Sequence, residues 1–167
     1  VVDDDEGHRN ALKLLFRSKN IPYLAFADGA EFFEGYQQKN VGCVLLDLRL
    51  GKGKGPTGLD VLREMRAKGI FLPVILLTGH ADVPMTVNAM KQGALDFLVK
   101  PVDVTVLVAA IDRALQKDDR MRAQRARRET TDSRLASLTP REREVLMHVM
   151  EGRLNKQIAA DLGTAEK

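Results

Sequence analysis

The sequence contains no tryptophan, a single cysteine, and only 5% aromatic residues in 167 positions. One thiol, Cys43, cannot form an internal disulfide, so a packed core must hold the fold. A reducing, cytoplasmic setting is expected. No apolar run approaches ~18 residues, the length a membrane-spanning helix requires, so no membrane partner is expected. Thirteen glycines and six prolines are too few for a collagen-like or proline-rich disordered chain. An initiator methionine is also missing and the chain opens inside an apparent strand, so a trimmed N-terminus is expected; no signal peptide is visible. There is no internal repeat at solenoid spacing. What remains is ordinary globular composition, 44% hydrophobic and 29% charged, in a chain long enough for one domain and a smaller appendage.

The net charge of +3 is unevenly placed. Residues 1–116 carry 14 basic and 14 acidic groups, whereas 117–167 carry 12 basic and 9 acidic. An anionic partner for the tail follows, with nucleic acid the leading candidate and a solvated basic helix the plain alternative.

The chain is arranged around Gly42-Cys43-Val44-Leu45-Leu46-Asp47. A short unbroken apolar run suits a strand buried on both faces of a parallel sheet. Its terminal Asp47 falls at the carboxyl end, where open α/β sheets place their crevice. Before it, Val1-Val2 reads as a strand remnant ending in Asp3-Asp4-Asp5. Three successive acids need solvent, a helix to cap, or a cation. A helical pattern follows, with Ala11, Leu12, Leu14, Leu15 and Phe16 apolar. Residues 23–26 read as a second strand and 30–38 as a helix.

After Asp47 the stretch from Arg49 to Gly58 holds four glycines and reads as a mobile loop; its Gly/Lys alternation lacks the order of a nucleotide-binding loop. Leu59, Val61, Leu62 and Met65 give a helical face. Residues 71–77 read as a fourth strand with Pro73 near its start, leading to Thr78-Gly79-His80. Asp82 and Pro84 suit the start of a helix over 85–92. Phe97-Leu98-Val99 is a fifth strand, followed by Lys100-Pro101. Five β-α units in alternation predict a doubly wound, five-stranded parallel sheet. Val104, Leu107, Val108, Ile111 and Leu115 continue as a helix. Residues 117–136, crowded with arginine, read as a helical linker that buries little.

In a parallel sheet Asp3, Asp4, Asp47, Thr78 and Lys100 open onto one edge. Singly, an Asp could cap a helix, Thr78 could cap another, Lys100 could be solvated and Phe97 could be core. Together, clustered carboxylates make a hard-oxygen site suited to Mg²⁺ or Mn²⁺, and an opposing hydroxyl and ammonium suit a phosphoryl group.

Val-Val-Asp3-Asp4, Leu-Leu-Asp47, Leu-Leu-Thr78-Gly79 and Phe97-Leu-Val-Lys100-Pro101, in this order, resemble the receiver domain of two-component response regulators. The resemblance covers residues 1–116 and implies a flavodoxin-like receiver. It implies Asp47 as phosphoacceptor from a sensor histidine kinase. It places Mg²⁺ on Asp4, Asp47 and the Arg49 backbone carbonyl, with Asp3 one water away. Thr78 and Lys100 would bind the acyl phosphate, Phe97 would be an aromatic switch, and the Lys100-Pro101 bond would be cis. His80 is expected to tune dephosphorylation. The loop after Asp47 departs from the family pattern, being longer and carrying Gly51 where a proline is usual. An aspartate-nucleophile phosphatase is the rival enzyme, yet Arg49 stands where its second acid belongs. A flavin site is disfavoured, since acids replace its phosphate loop.

Residues 137–167 read as two helices. Thr139, Pro140 and Glu142 form a capping-box start, and Gly152 ends the first helix. Leu-Thr-Pro-Arg-Glu-x-Glu-Val-Leu and Asn155-Lys156-Gln157-Ile158-Ala159 resemble the LuxR-type helix-turn-helix of FixJ- and NarL-type regulators. By that resemblance the chain stops at 164–167, where the recognition helix is expected to begin, and so should bind DNA poorly. The longer protein would be a transcription factor acting on promoter DNA, dimerising on phosphorylation, and not an enzyme beyond its own phosphorylation and dephosphorylation. A receiver working through protein contacts alone is the further alternative.

Overall fold

Three parallel strands form the centre of the first compact unit: β1 (Val44–Asp47), β2 (Val74–Thr78) and β3 (Asp96–Val99), paired in that order. The structure is a computed structural model that describes every residue except 38, 52–55, 80–82 and 164–167. His80, Asp82, most of the Gly/Lys loop and the chain's last four residues therefore lie outside the described residues. Val44 lies opposite Val74, and Leu76 opposite Phe97. All residues of β1 and β2 are buried, as expected for strands covered on both faces.

The two remaining expected strands are reduced, among the described residues, to single-residue parallel bridges. Val2 pairs with Leu46 on one side and Phe26 on the other. The Val2 amide donates to Leu45 O at 2.8 Å, and the Asp47 amide to Val2 O at 2.8 Å. The lateral order is thus Phe26, Val2, β1, β2, β3. Longer ladders do not form because Asp3 to Asp5 leave the sheet to start a helix, and Leu24 beside Phe26 stays exposed.

Seven helices surround or follow this sheet among the described residues: α1 (Glu6–Ser18), α2 (Gly29–Gly35), α3 (Gly58–Ala67), α4 (Val83–Lys91), α5 (Val104–Ser137), α6 (Pro140–Met150) and α7 (Asn155–Asp161). α2 ends three residues before the expected stop, because Tyr36 turns to extended backbone at its C-cap. α4 begins two residues before the expected start, with Pro84 in its first turn, where a missing amide hydrogen costs nothing.

Alternation along the strands builds two cores. Val2, Val44, Leu46, Val74 and Leu76 meet Phe32, Val61, Leu62, Met65 and Ala89 from α2, α3 and α4. Leu45, Ile75 and Leu77 point the other way, onto Leu12 and Phe16 of α1 and Leu107, Ala110, Ile111 and Ala114 of α5. Each fully buried leucine here contributes on the order of 2 kcal/mol by leaving water.

The chain divides into two compact units, Val1–Arg120 and Met121–Lys167. Within the first, the apolar stripe of α5 ends at Ala114, and one turn later Asp118 is 4% exposed. Its carboxylate accepts the Gly42 amide at 3.0 Å, so this turn of α5 is pinned to the approach to β1. From Asp119 to Ser137 the helix continues exposed, with Met121 half-buried. In the second unit Thr139 and Glu142 form the reciprocal capping box of α6. Ile158 of α7 is buried, Arg153 bridges Glu151 and Asp161, and the Arg141 side chain donates to Leu162 O. No helix among the described residues is long and apolar enough to cross a membrane.

Candidate functional site

Asp47 is the last residue of β1, and the local chain holds it tightly. The Leu48 amide donates to Leu77 O at 2.8 Å, and the Gly58 amide, opening α3, to Leu48 O at 2.9 Å. Gly58 is therefore part of the packed framework rather than of a mobile loop. A Cβ there would lie 2.3 Å from Asp47 O, so no side chain fits between α3 and the strand end.

Asp3 reaches the same edge through the Val2 bridge. Asp5 caps α1 by accepting the His8 amide at 2.9 Å, and the chain turns sharply enough for the Asp5 amide to donate to Asp3 Oδ1 at 2.9 Å. On the third side, β3 delivers Lys100, whose amide donates to Thr78 O at 2.7 Å; the Lys100-Pro101 peptide is cis.

Lys100 Nζ donates to Asp3 Oδ2 and to Asp47 Oδ2, both at 2.9 Å. Asp3 is 0% exposed. Burial pushes its carboxyl up, but hydrogen bonds from His8, Lys100 and the Asp5 amide outweigh burial and hold it below the usual carboxylate range. Burial pulls Lys100 down, and its bonds to Asp3 and Asp47 outweigh that and raise it. The ammonium thus stays charged between two anions.

Asp3, Asp4 and Asp47 each offer an oxygen within 4.8 Å of the others. Three carboxylates against one ammonium leave a surplus of two negative charges, which a divalent cation would balance. The donors are hard oxygens, so the residues fit Mg²⁺ or Mn²⁺ better than a thiolate-seeking metal. Asp4, Asp5, His8, Asp47, Arg49, Gly79 and Lys100 line the open cleft over this cluster.

The other expected residues are placed differently. Thr78 is buried, 1% exposed, at the end of β2, and Gly79 after it lines the cleft. Phe97 is half-buried on β3 and packs on the core that contains Val2 and Leu46. Arg49 turns its amide to Asp47 Oδ1 at 3.3 Å while the residue as a whole stays exposed.

Three contributors escaped the sequence reading. His8 Nδ1 lies 2.5 Å from Asp3 Oδ2. Arg9 donates to Asp3 O at 2.7 Å. Gly58 is the third. The signal for His8 was available: a helix capped by Asp5 puts the residue three positions later back over its own start.

This edge chemistry on a doubly wound sheet defines a receiver of the two-component type. Residues 1–112 match the response regulator receiver domain family, and residues 136–167 match the luxR family of bacterial regulatory proteins. The chain belongs to the response regulators, as a flavodoxin-like receiver followed by a LuxR-type DNA-binding region. It is 37% identical over 167 residues to the transcriptional regulatory protein FixJ of Azorhizobium caulinodans, covering 100% of this chain and 78% of that one. It is 41% identical to the C4-dicarboxylate transport transcriptional regulatory protein DctR of Rhodobacter capsulatus, covering 99% of this chain and 83% of the relative. Among solved structures, response regulator StyR superposes with a TM-score of 0.87 at 37% identity, covering 99% of this chain and 82% of StyR. Full-length FixJ from B. japonicum gives 0.65 at 34% identity, covering 99% of this chain and 80% of FixJ.

Proposed function

We propose that Asp47 accepts a phosphoryl group from a sensor histidine kinase and that the acyl phosphate controls DNA binding through the LuxR-type region. The observation that carries this is the Lys100 ammonium held 2.9 Å from both Asp3 and Asp47 at the carboxyl edge of the sheet. An Asp47 oxygen attacks phosphorus, a new P–O bond forms, and the bond to the donor breaks with its electron pair on the leaving group. Arg49 N–H and Lys100 orient the Asp47 carboxylate for this in-line displacement. Lys100 then turns to the phosphoryl oxygens, and the Thr78 hydroxyl donates to one of them. Phe97 follows Thr78 inward, which remodels the face carrying α4 and β3 and favours a homodimer. Asp4, Asp47 and the Arg49 carbonyl would hold Mg²⁺ or Mn²⁺, with Asp3 behind them; the cation supplies charge neutralisation for the transferring group.

The activity is a switch, not turnover, and self-dephosphorylation resets it. Promoter DNA is the partner of the longer protein, in which residues 117–136 link the receiver to the helix-turn-helix.

Incubation with Mg²⁺ and acetyl phosphate tests the reading by intact mass. One phosphoryl group should appear on the wild-type chain and vanish in Asp47→Asn. Release of many equivalents of phosphate from a phosphomonoester would instead make this a phosphatase.

A further inference from the structure

We propose that His8 is a positioning residue: it keeps the buried Asp3 carboxylate satisfied when Lys100 leaves it for the phosphoryl group. The inference deepens the acceptor reading and rests on it.

In the resting state Asp3 receives three donors. Oδ1 takes the Asp5 amide at 2.9 Å, and Oδ2 is shared by Lys100 Nζ at 2.9 Å and His8 Nδ1 at 2.5 Å. Its side chain is 0% exposed, so water cannot substitute for a lost donor. Lys100 spans Asp3 and Asp47. A phosphoryl group on Asp47 presents new anionic oxygens to the same ammonium, and a lysine that follows them abandons Asp3. A buried anion stripped of its charged partner is costly, because the desolvation already incurred is no longer offset.

His8 removes much of that cost. Its ring is 29% exposed, so it reaches solvent on one side while touching Asp3 on the other. It is carried by α1, an element distinct from the one that bears Lys100, so its bond to Asp3 survives movement of β3. The imidazole stands outside the cluster of three carboxylates that fits a cation. Its part is therefore to hold Asp3, leaving Lys100 free to travel.

The test compares wild type, His8→Leu and His8→Asn, the last keeping a side-chain N–H donor near the Nδ1 position. Each is incubated with Mg²⁺ and acetyl phosphate, and phosphorylated fraction against time is read by intact mass, with melting temperature recorded alongside. The leucine variant should phosphorylate roughly tenfold more slowly, the loss expected when a hydrogen bond to a buried charged group disappears. The asparagine variant should recover most of the rate. A folded His8→Leu chain that phosphorylates at the wild-type rate overturns the assignment. So does an asparagine variant as slow as the leucine one. If wild type itself gains no phosphoryl group, the parent reading falls and this one with it; a phosphorylated wild type with indifferent variants sinks His8 alone.

Discussion

Replacing Gly58 with alanine probes the seam between α3 and the strand end that carries Asp47. The added Cβ would sit 2.3 Å from Asp47 O and 3.0 Å from Leu48 Cα, both backbone atoms that no rotamer change can move. An ordinary C···O approach is about 3.3 Å, so α3 must withdraw by about 1 Å. That withdrawal stretches the 2.9 Å bond from the Gly58 amide to Leu48 O to roughly 3.9 Å, past hydrogen-bond range. Overpacking costs about 1–3 kcal/mol and the lost bond about 1 kcal/mol. Better helix propensity returns at most ~1 kcal/mol, and less at a first helical position. The net loss is about 1–4 kcal/mol, centred near 2–3, seen in urea unfolding as a lower midpoint at unchanged slope. In a chain of this size the melting temperature should fall by roughly 5–10 °C. Gly79→Ala is the control, since a Cβ there meets nothing within 4 Å. If Gly58→Ala unfolds within about 0.5 kcal/mol of wild type, the steric account of this seam is wrong.

Lys100→Met should cost about 1.5–3 kcal/mol at neutral pH, because Asp3 and Asp47 lose the ammonium they share while the His8 and Asp5 N–H donors still hold Asp3. Thermal melts should show the deficit shrinking as pH falls through the carboxylate range and on adding Mg²⁺; a wild-type melting temperature without Mg²⁺ refutes it. Burial pushes the Cys43 thiol up to about 11, with help from Asp118. Iodoacetamide at pH 8 should therefore modify the native chain roughly a hundredfold more slowly than the urea-unfolded one, and equal rates would count against this. A folded pKa raised from 9.0 to about 11 contributes stability that is present below pH 9 and declines as pH rises toward 11, which alkaline urea titrations can follow. Thr139→Ala removes the α6 capping box and should cost ~1 kcal/mol, read as faster amide exchange over the first turn of α6 with phosphorylation unchanged.

Much of the molecule was legible because its chemistry sits where strands end. Asp47, Thr78 and Lys100 each close an apolar run, and parallel pairing carries such ends to one edge whatever the helices do. Strand extent was less legible, since Val2 and Phe26 pair through partners supplied from elsewhere in the chain. Local pattern does not record how many rungs those partners offer. Gly58 looked like one more loop glycine because its constraint is the Asp47 carbonyl, eleven residues away in sequence terms and in contact only after folding. Asp118 was hidden among linker charges for a related reason: its burial depends on Gly42, 76 positions earlier. His8 was passed over because the helical pattern of α1 drew attention to Leu12 and Phe16.

The unbroken run of α5 from Val104 to Ser137 has a consequence in helix–coil terms. A free peptide matching its exposed, arginine-rich second half would face a nucleation factor on the order of 10⁻³ and would be mostly coil. Here the turns packed through Leu107, Ala110, Ile111 and Ala114 are already formed, so they serve as the nucleus, and the rest has only to propagate. Asp118, pinned to Gly42, is the last rung of that nucleus. The order of the exposed second half of α5 is thus borrowed from the receiver's core, and a change that frays this rung shortens the helix from its root rather than from its tip.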